Sequence, residues 1–293
     1  MNTTENSPYV VGVDGSVGAR HAIRWASRAA VMHKAPVLLL HAIGVPEHYA
    51  GVLPPSPTVF EALWGRGNAL LDEAAELAES FGVVDVRTEI REHSPNAELR
   101  DAARDARMLV LGAPGHGRLT DVVALSALAP QLSSHVACPV VVVHGDQIHP
   151  SDAPILVGID GSPLSEQALA VAFEEASLRG VALTAIHAWE GWHVAAASAE
   201  PFPDWPTLEQ MERLILAERL ADWSDKYPDV TVYREITQRG PGPALVEASR
   251  DAQLVVVGSR GRGGFHGLLL GSTSQQLIYH AACPVMVVRP AEE

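Results

Sequence analysis

Two hydrophobic periods alternate along this chain. Short aliphatic and β-branched runs at 9–13, 37–43, 83–90, 108–112 and 139–144 read as strands, and the longer stretches between them carry apolar residues at helical spacing. Between the first two runs, Ala19, Ile23, Ala26 and Ala30 recur every three or four positions and predict one apolar helix face. Runs such as VLLL and LVVV are almost continuously apolar, which implies strands buried on both faces of a sheet. Strands alternating with helices predict an α/β unit with a parallel, five-stranded sheet wrapped by helices on both faces.

The pattern then repeats, with strands expected at 155–159, 182–188, 230–236, 254–258 and 284–288. YVVGVDGS at 9–16 matches ILVGIDGS at 155–162, an offset of 146 residues. The same offset carries LLLHA onto TAIHA and the strand ending at Gly112 onto the one ending at Gly258. One residue of slippage brings CPVVVVHG onto CPVMVVRP. The chain therefore reads as a tandem duplication, joined through the turn-rich segment GDQIHPSDAP, with domains at 1–150 and 151–293. The two final strands would lie at sheet edges, and such apolar edges favour pairing between domains or in a homodimer. The segments after each second strand, 44–58 and 190–207, are long and Pro-bearing and are expected to act as flaps over the strand ends.

Composition narrows the classes. Apolar residues form 47% of the 293 residues and charged ones 19%, enough to bury two cores. A formal charge of −14 opposes binding to nucleic acid. The longest apolar runs fall far short of the roughly 20 residues of a membrane span, and the N-terminal residues lack a secretory pattern, so a cytoplasmic location is expected. Cys138 and Cys283 hold equivalent places before Pro and read as buried thiols.

In open α/β sheets, ligands bind outside the carboxyl ends of the strands where strand order reverses. In the second copy this places Asp160, Gly161 and Ser162 after strand one, Ala188 after strand two, and the loop GSRGRGGFHGLLLGSTSQQ after Val257 in strand four. Six glycines in that loop allow backbone N–H groups to approach a phosphate. A helix beginning near Ser272 would aim its unpaired N–H groups and positive dipole end at the same place. Ser272 and Thr273 add hydroxyls, and Arg260 and Arg262 add positive charge. The bland counterparts are a merely flexible connection for the loop, and a turn or cap role for the repeated Asp.

Gly258, Gly261, Gly271 and Ser272 fit G-x2-G-x9-G-[ST]. This spacing, after a Val-rich strand and joined to an early IDGS, resembles the ATP-binding type of the universal stress protein family, over 9–145 and again over 155–289. The resemblance implies a sheet of order 3-2-1-4-5, of the adenine-nucleotide-alpha-hydrolase-like type, with ATP at the switch point and Mg beside it. It implies Asp160 near the ribose or metal, Ala188 and Val257 against adenine, and Gly258 and Gly261 close to ribose and phosphates. Gly271, Ser272 and Thr273 would hold the terminal phosphates.

The first copy keeps Asp14, Gly15, Ser16, Ala42, Leu111, Gly112, Gly115 and Ser126 as nucleotide-site candidates. It carries Leu125 where Gly271 stands, Ala127 for Thr273, and Pro114 and His116 for Arg260 and Arg262. A bulky side chain at a backbone approach, together with lost donors and charge, predicts weaker binding there.

Other chemistry is not indicated. The Walker pattern, an early GxGxxG, G-x-S-x-G and HExxH are all absent from the sequence. His41 and His187, at matching strand ends, are expected to anchor loops rather than catalyse. The Trp-bearing segment from Trp189 to Trp205 would cover the core or stack on adenine. The favoured reading is a nucleotide-dependent regulator of stress response, dormancy or growth, acting through an unidentified protein partner. The alternative is an enzyme acting on an adenine nucleotide or adenylated substrate, with Asp160, His266 and nearby hydroxyls as its only local groups. A receiver-like phosphorylation domain would require an acidic cluster after strand one, where only a single Asp stands.

Overall fold

The computed structural model describes residues 6–44, 56–113, 125–145, 150–188, 205–261 and 270–290. The chain divides into two compact units, Met1–Asp146 with Arg289–Glu293, and Gln147–Val288. The flap segments expected at 44–58 and 190–207 fall mostly outside the described residues.

The first unit runs β1 (Tyr9–Gly12), α1 (Val17–His33), β2 (Val37–Ala42), α2 (Pro57–Ser80), β3 (Val86–Arg91), α3 (Pro95–Ala102), β4 (Met108–Gly112), α4 (Leu125–His135) and β5 (Val140–Val143). Its strands are all parallel, in the order β3-β2-β1-β4-β5. Parallel neighbours need helical crossovers, and their right-handedness puts α1 and α2 on one face and α3 and α4 on the other. Strand order reverses between β1 and β4, where Tyr9 pairs with both Val37 and Met108.

The second unit repeats this with β6 (Ile155–Gly158), α5 (Pro163–Arg179), β7 (Leu183–Ala188), α6 (Trp205–Lys226), β8 (Val232–Thr237), α7 (Pro241–Ala248), β9 (Leu254–Gly258), α8 (Ser272–His280) and β10 (Val285–Val288). Its order is β8-β7-β6-β9-β10, again all parallel.

The central strands are buried on both faces: Val10, Val11, Leu39 and Leu109 in one unit, Ile155, Val157, Leu183 and Val255 in the other. Each such side chain contributes about 1.5–3 kcal/mol over leaving it in water. The outer strands β3 and β8 instead expose Arg87 and Glu89, and Arg234 and Glu235, charges that discourage further strand pairing. Both begin later than their apolar residues predict. Val230 is buried but closes a turn through its N–H to the Tyr227 carbonyl at 3.1 Å, so it plugs the core from outside the ladder. Val83 is likewise buried just after the Phe81–Gly82 turn, where Gly82 has a φ of +90°.

The first helix of each unit starts and stops by similar devices. Ser16 caps α1 by accepting the Ala19 N–H at 3.0 Å, and Ser162 caps α5 by accepting the Ser165 N–H at 3.2 Å. Both helices end in a left-handed residue, Lys34 at φ 51° and Gly180 at φ 65°.

Candidate functional site

The two DGS motifs build one turn twice. Gly15 and Gly161 adopt φ of +78° and +75°, a conformation that side chains disfavour. That reversal brings the Ser16 N–H to Asp14 Oδ1 and the Ser162 N–H to Asp160 Oδ1, both at 2.9 Å. The Asp therefore does close a turn, and the Ser does cap a helix. In the second unit the carboxylate also faces the loop after β9: a Cβ placed on Gly261 would run into Asp160 Oδ2. The structure thus brings Asp160 and Gly261 together across the strand ends.

Gly258 and Gly112 serve close packing. A Cβ on Gly258 would come within 3.0 Å of Leu164 Cβ at the start of α5. One on Gly112 would overlap the backbone of Gly18 in α1. These glycines let the first helix of each unit sit against the end of the fourth strand, which keeps the DGS turn next to the following loop.

The far end of that loop is stitched back to its beginning. Gly271 N–H donates to the Ser259 carbonyl at 2.7 Å, and Ser274 Oγ donates to the carbonyls of Ser259 at 3.2 Å and Gly271 at 2.9 Å. The Gly271 N–H, expected to face phosphate, is thus spent on closing the loop. Ser274 was not singled out from the sequence, although an extra Ser one turn into a helix after G-S-T is a visible signal. Gly271 is the N-cap of α8 and has no side chain to bond the first-turn N–H groups. Among the described residues those of Ser272 and Thr273 have no acceptor, and the dipole end lies behind them.

The adenine-side candidates are placed unevenly. Ala188 and Ala42 end β7 and β2 and are half-buried. Val257 and Leu111 are 4% and 0% exposed, so protein already covers them. In the first unit Ser126 falls in the first turn of α4, with its side chain outside what is described, and Pro130 lies inside that helix. Lacking an N–H, Pro130 cannot bond the carbonyl four residues back, which loosens the very turn that would face an anion. Arg262, Gly115, Pro114, His116 and His266 lie outside the described residues.

The paired histidines anchor strand ends. His41 Nδ1 donates to the Val13 carbonyl and His187 Nδ1 to the Ile159 carbonyl, each at 2.7 Å. His187 Nε2 also lies 3.2 Å from Glu212 Oε2 on α6. Cys138 and Cys283 are free and buried, and burial pushes each thiol up to about 12. Among the described residues, no group of three or more His, Cys, Asp or Glu could hold a metal ion, and no helix is long and apolar enough to cross a membrane.

One strand-order switch with a DGS turn beside it is thus built twice in tandem. The profile of the universal stress protein family matches residues 7–144 and 153–289. A universal stress protein of Mycolicibacterium smegmatis is 44% identical over 291 residues, covering 96% of each chain. One of Mycobacterium tuberculosis is 41% identical over 288 residues, covering 96% of this chain and 95% of its own. A crystal structure of a universal stress protein from Archaeoglobus fulgidus shares the fold with a TM-score of 0.72 at 19% identity, covering 99% of both chains. The chain belongs to the universal stress protein family.

Proposed function

We propose that the chain is an ATP-binding regulator whose second unit holds the nucleotide. The observation that carries this reading is the meeting of Asp160 with Gly261 beside the uncapped start of α8. A backbone that only glycine can bring against a carboxylate, next to helix-start N–H groups with no acceptor among the described residues, is a cradle of the right chemistry for a ribose and a phosphate tail. The residues present fit the ligand. Asp160 would accept from a ribose hydroxyl or meet a phosphate-bound cation, and the N–H and hydroxyl groups of Ser272 and Thr273 would bond the terminal phosphates. Mg would take most of its ligands from those phosphates and water, with one carboxylate from the chain.

Bound nucleotide would bridge Asp160 and the start of α8 and so change the surface read by a protein partner. Two reduced, buried thiols suit a cytoplasmic regulator. Titration calorimetry of the full chain with ATP, in Mg-containing and Mg-free buffer, tests the proposal. Saturable binding that Asp160→Ala abolishes supports it. Equal binding by wild type and Asp160→Ala, or no binding, refutes it.

A further inference from the structure

The groove between the first two helices is built differently in the two units. In the first unit a half-open cleft of about 410 Å³ lies between α1 and α2 beside Gly15 and Ser16 of the DGS turn, with Leu70 and Leu77 as its accessible apolar surface over the buried Val13, Ile23 and Ala74. Arg20 on α1 and Glu73 and Glu76 on α2 stand at its rim. That volume falls in the range of small-molecule sites, roughly 300–1,000 Å³.

Moving 146 residues along the chain gives the corresponding positions of the second unit. Leu220 replaces Ala74 and is fully buried, and Trp223 replaces Leu77 and stacks on Phe173 with ring centroids 6.1 Å apart. Across the groove Arg219 Nη1 bonds Glu166 Oε1 at 2.7 Å. The space left there, bounded by Ile159, Gly161, Leu216 and Arg219 and displaced toward His187, Glu212 and Ile215, is about 10 Å³. The second unit therefore fills this groove with its own side chains and latches it shut.

The first unit carries the same two latch positions with reversed charge, Arg20 for Glu166 and Glu73 for Arg219. Yet among the described residues Arg20 and Glu73 form no ion pair, and the space between the helices is open. An apolar hollow of this size forfeits dispersion contacts that its counterpart makes internally, unless a ligand supplies them. The rim offers a guanidinium on one wall and two carboxylates on the other, over an apolar floor.

We propose that this cleft binds a small zwitterion with an apolar body, of the aromatic or branched amino-acid class. Its carboxylate pairs with Arg20, its ammonium with Glu73 and Glu76, and its side chain lies on Leu70 and Leu77. The net negative rim disfavours a simple anion, and Arg20 disfavours a simple amine. The inference concerns a site other than the proposed ATP site of the second unit and stands or falls separately from it.

Calorimetry on the full chain with L-phenylalanine, L-tryptophan and L-leucine, alongside phenethylamine and 3-phenylpropionate, tests it. At least one amino acid binds, and both single-charge analogues bind at least about tenfold more weakly, the scale of one lost charged hydrogen bond. Glu73→Gln lowers amino-acid affinity by about the same factor. Ala74→Leu/Leu77→Trp, which copies the filling of the second unit, abolishes amino-acid binding and leaves the ATP response intact. Arg20→Glu/Glu73→Arg restores the latch and also abolishes it, by surface changes that do not touch the core. Absence of binding by all three amino acids overturns the proposal, as does equal binding by a single-charge analogue or full affinity in the relatched variant.

Discussion

Asp160 and Gly261 meet carboxylate to backbone, so closely that any Cβ on Gly261 would overlap Asp160 Oδ2. Because Oδ1 of the same carboxylate is already fixed by the Ser162 N–H, Asp160 cannot swing aside without opening its own turn. Gly261→Ala should therefore push the loop after β9 away from the DGS turn. ATP affinity measured by calorimetry is expected to fall by about tenfold or more, the equivalent of one charged hydrogen bond. Thermal stability should change little, since Gly261 is exposed.

Gly271→Leu copies the residue that the first unit carries at this position, Leu125. A Cβ at Gly271 would meet Arg260 Cα and the Ser259 carbonyl oxygen at 3.4 Å, a tight but tolerable contact. The backbone there is ordinary, with φ −72° and ψ 155°, so the variant should fold. What changes is the space beside Arg260, Ser259 and Ser274, where the leucine would shift the loop end that presents the Ser272 and Thr273 N–H groups. ATP titration is expected to show a loss of about tenfold or more with a melting temperature close to wild type. Unchanged affinity would remove the phosphate from this end of α8.

Lys34 ends α1 in a left-handed conformation, φ 51° and ψ 39°, where the second unit uses Gly180 at φ 65° and ψ 36°. Both donate their N–H back into the last turn, so the geometry is the same and only the side chain differs. Lys34→Gly should stabilise the first unit by about 1 kcal/mol, and Gly180→Lys should destabilise the second by a similar amount. Denaturant unfolding of the two variants checks the pair of opposite signs.

Gly112→Ala and Gly258→Ala are the same substitution at equivalent sites, with unequal consequences. At Gly112 the added carbon would overlap the Gly18 carbonyl and come within 2.8 Å of the Ala19 N, all of it backbone at the start of α1. At Gly258 it would touch Leu164 Cβ at 3.0 Å and the Arg260 carbonyl oxygen at 3.2 Å, which a small shift relieves. Thermal or urea unfolding should show the first variant losing about 3 kcal/mol and the second about 1 kcal/mol.

Much of this architecture is legible in the amino-acid sequence. The offset of 146 residues, the apolar strands and the DGS turns placed both switch points, because these features are encoded locally by period and turn chemistry. The start of α8 at Ser272 followed from the end of the glycine run. The use of the Gly271 N–H was not legible, since it depends on how close the Ser259 carbonyl comes when the loop folds back. Nor was the difference between the helix grooves, which is a matter of volume between two elements: Ala74 and Leu220 fit the helical pattern equally well. The late starts of β3 and β8 were not legible either, because Val83 and Val230 satisfy the apolar pattern from the ends of turns, ahead of the ladder.

Cys138 and Cys283 give the chain an alkaline weakness with a definite sign. Burial disfavours each thiolate in the folded state and lifts its pKa from 9.0 to about 12, while the unfolded chain leaves both thiols in water. Between those values the unfolded state has lost protons that the folded state keeps, so stability falls as pH rises. The contribution is fully present below pH 9 and is lost progressively toward pH 12. Each thiol should steepen the fall by about 1.4 kcal/mol per pH unit. Urea unfolding from pH 8 to pH 11 therefore should show a steeper alkaline decline for wild type than for Cys138→Ala/Cys283→Ala. A constant offset from the lost sulfur volume would not alter that slope. Parallel curves would mean that the thiols ionise within the folded chain.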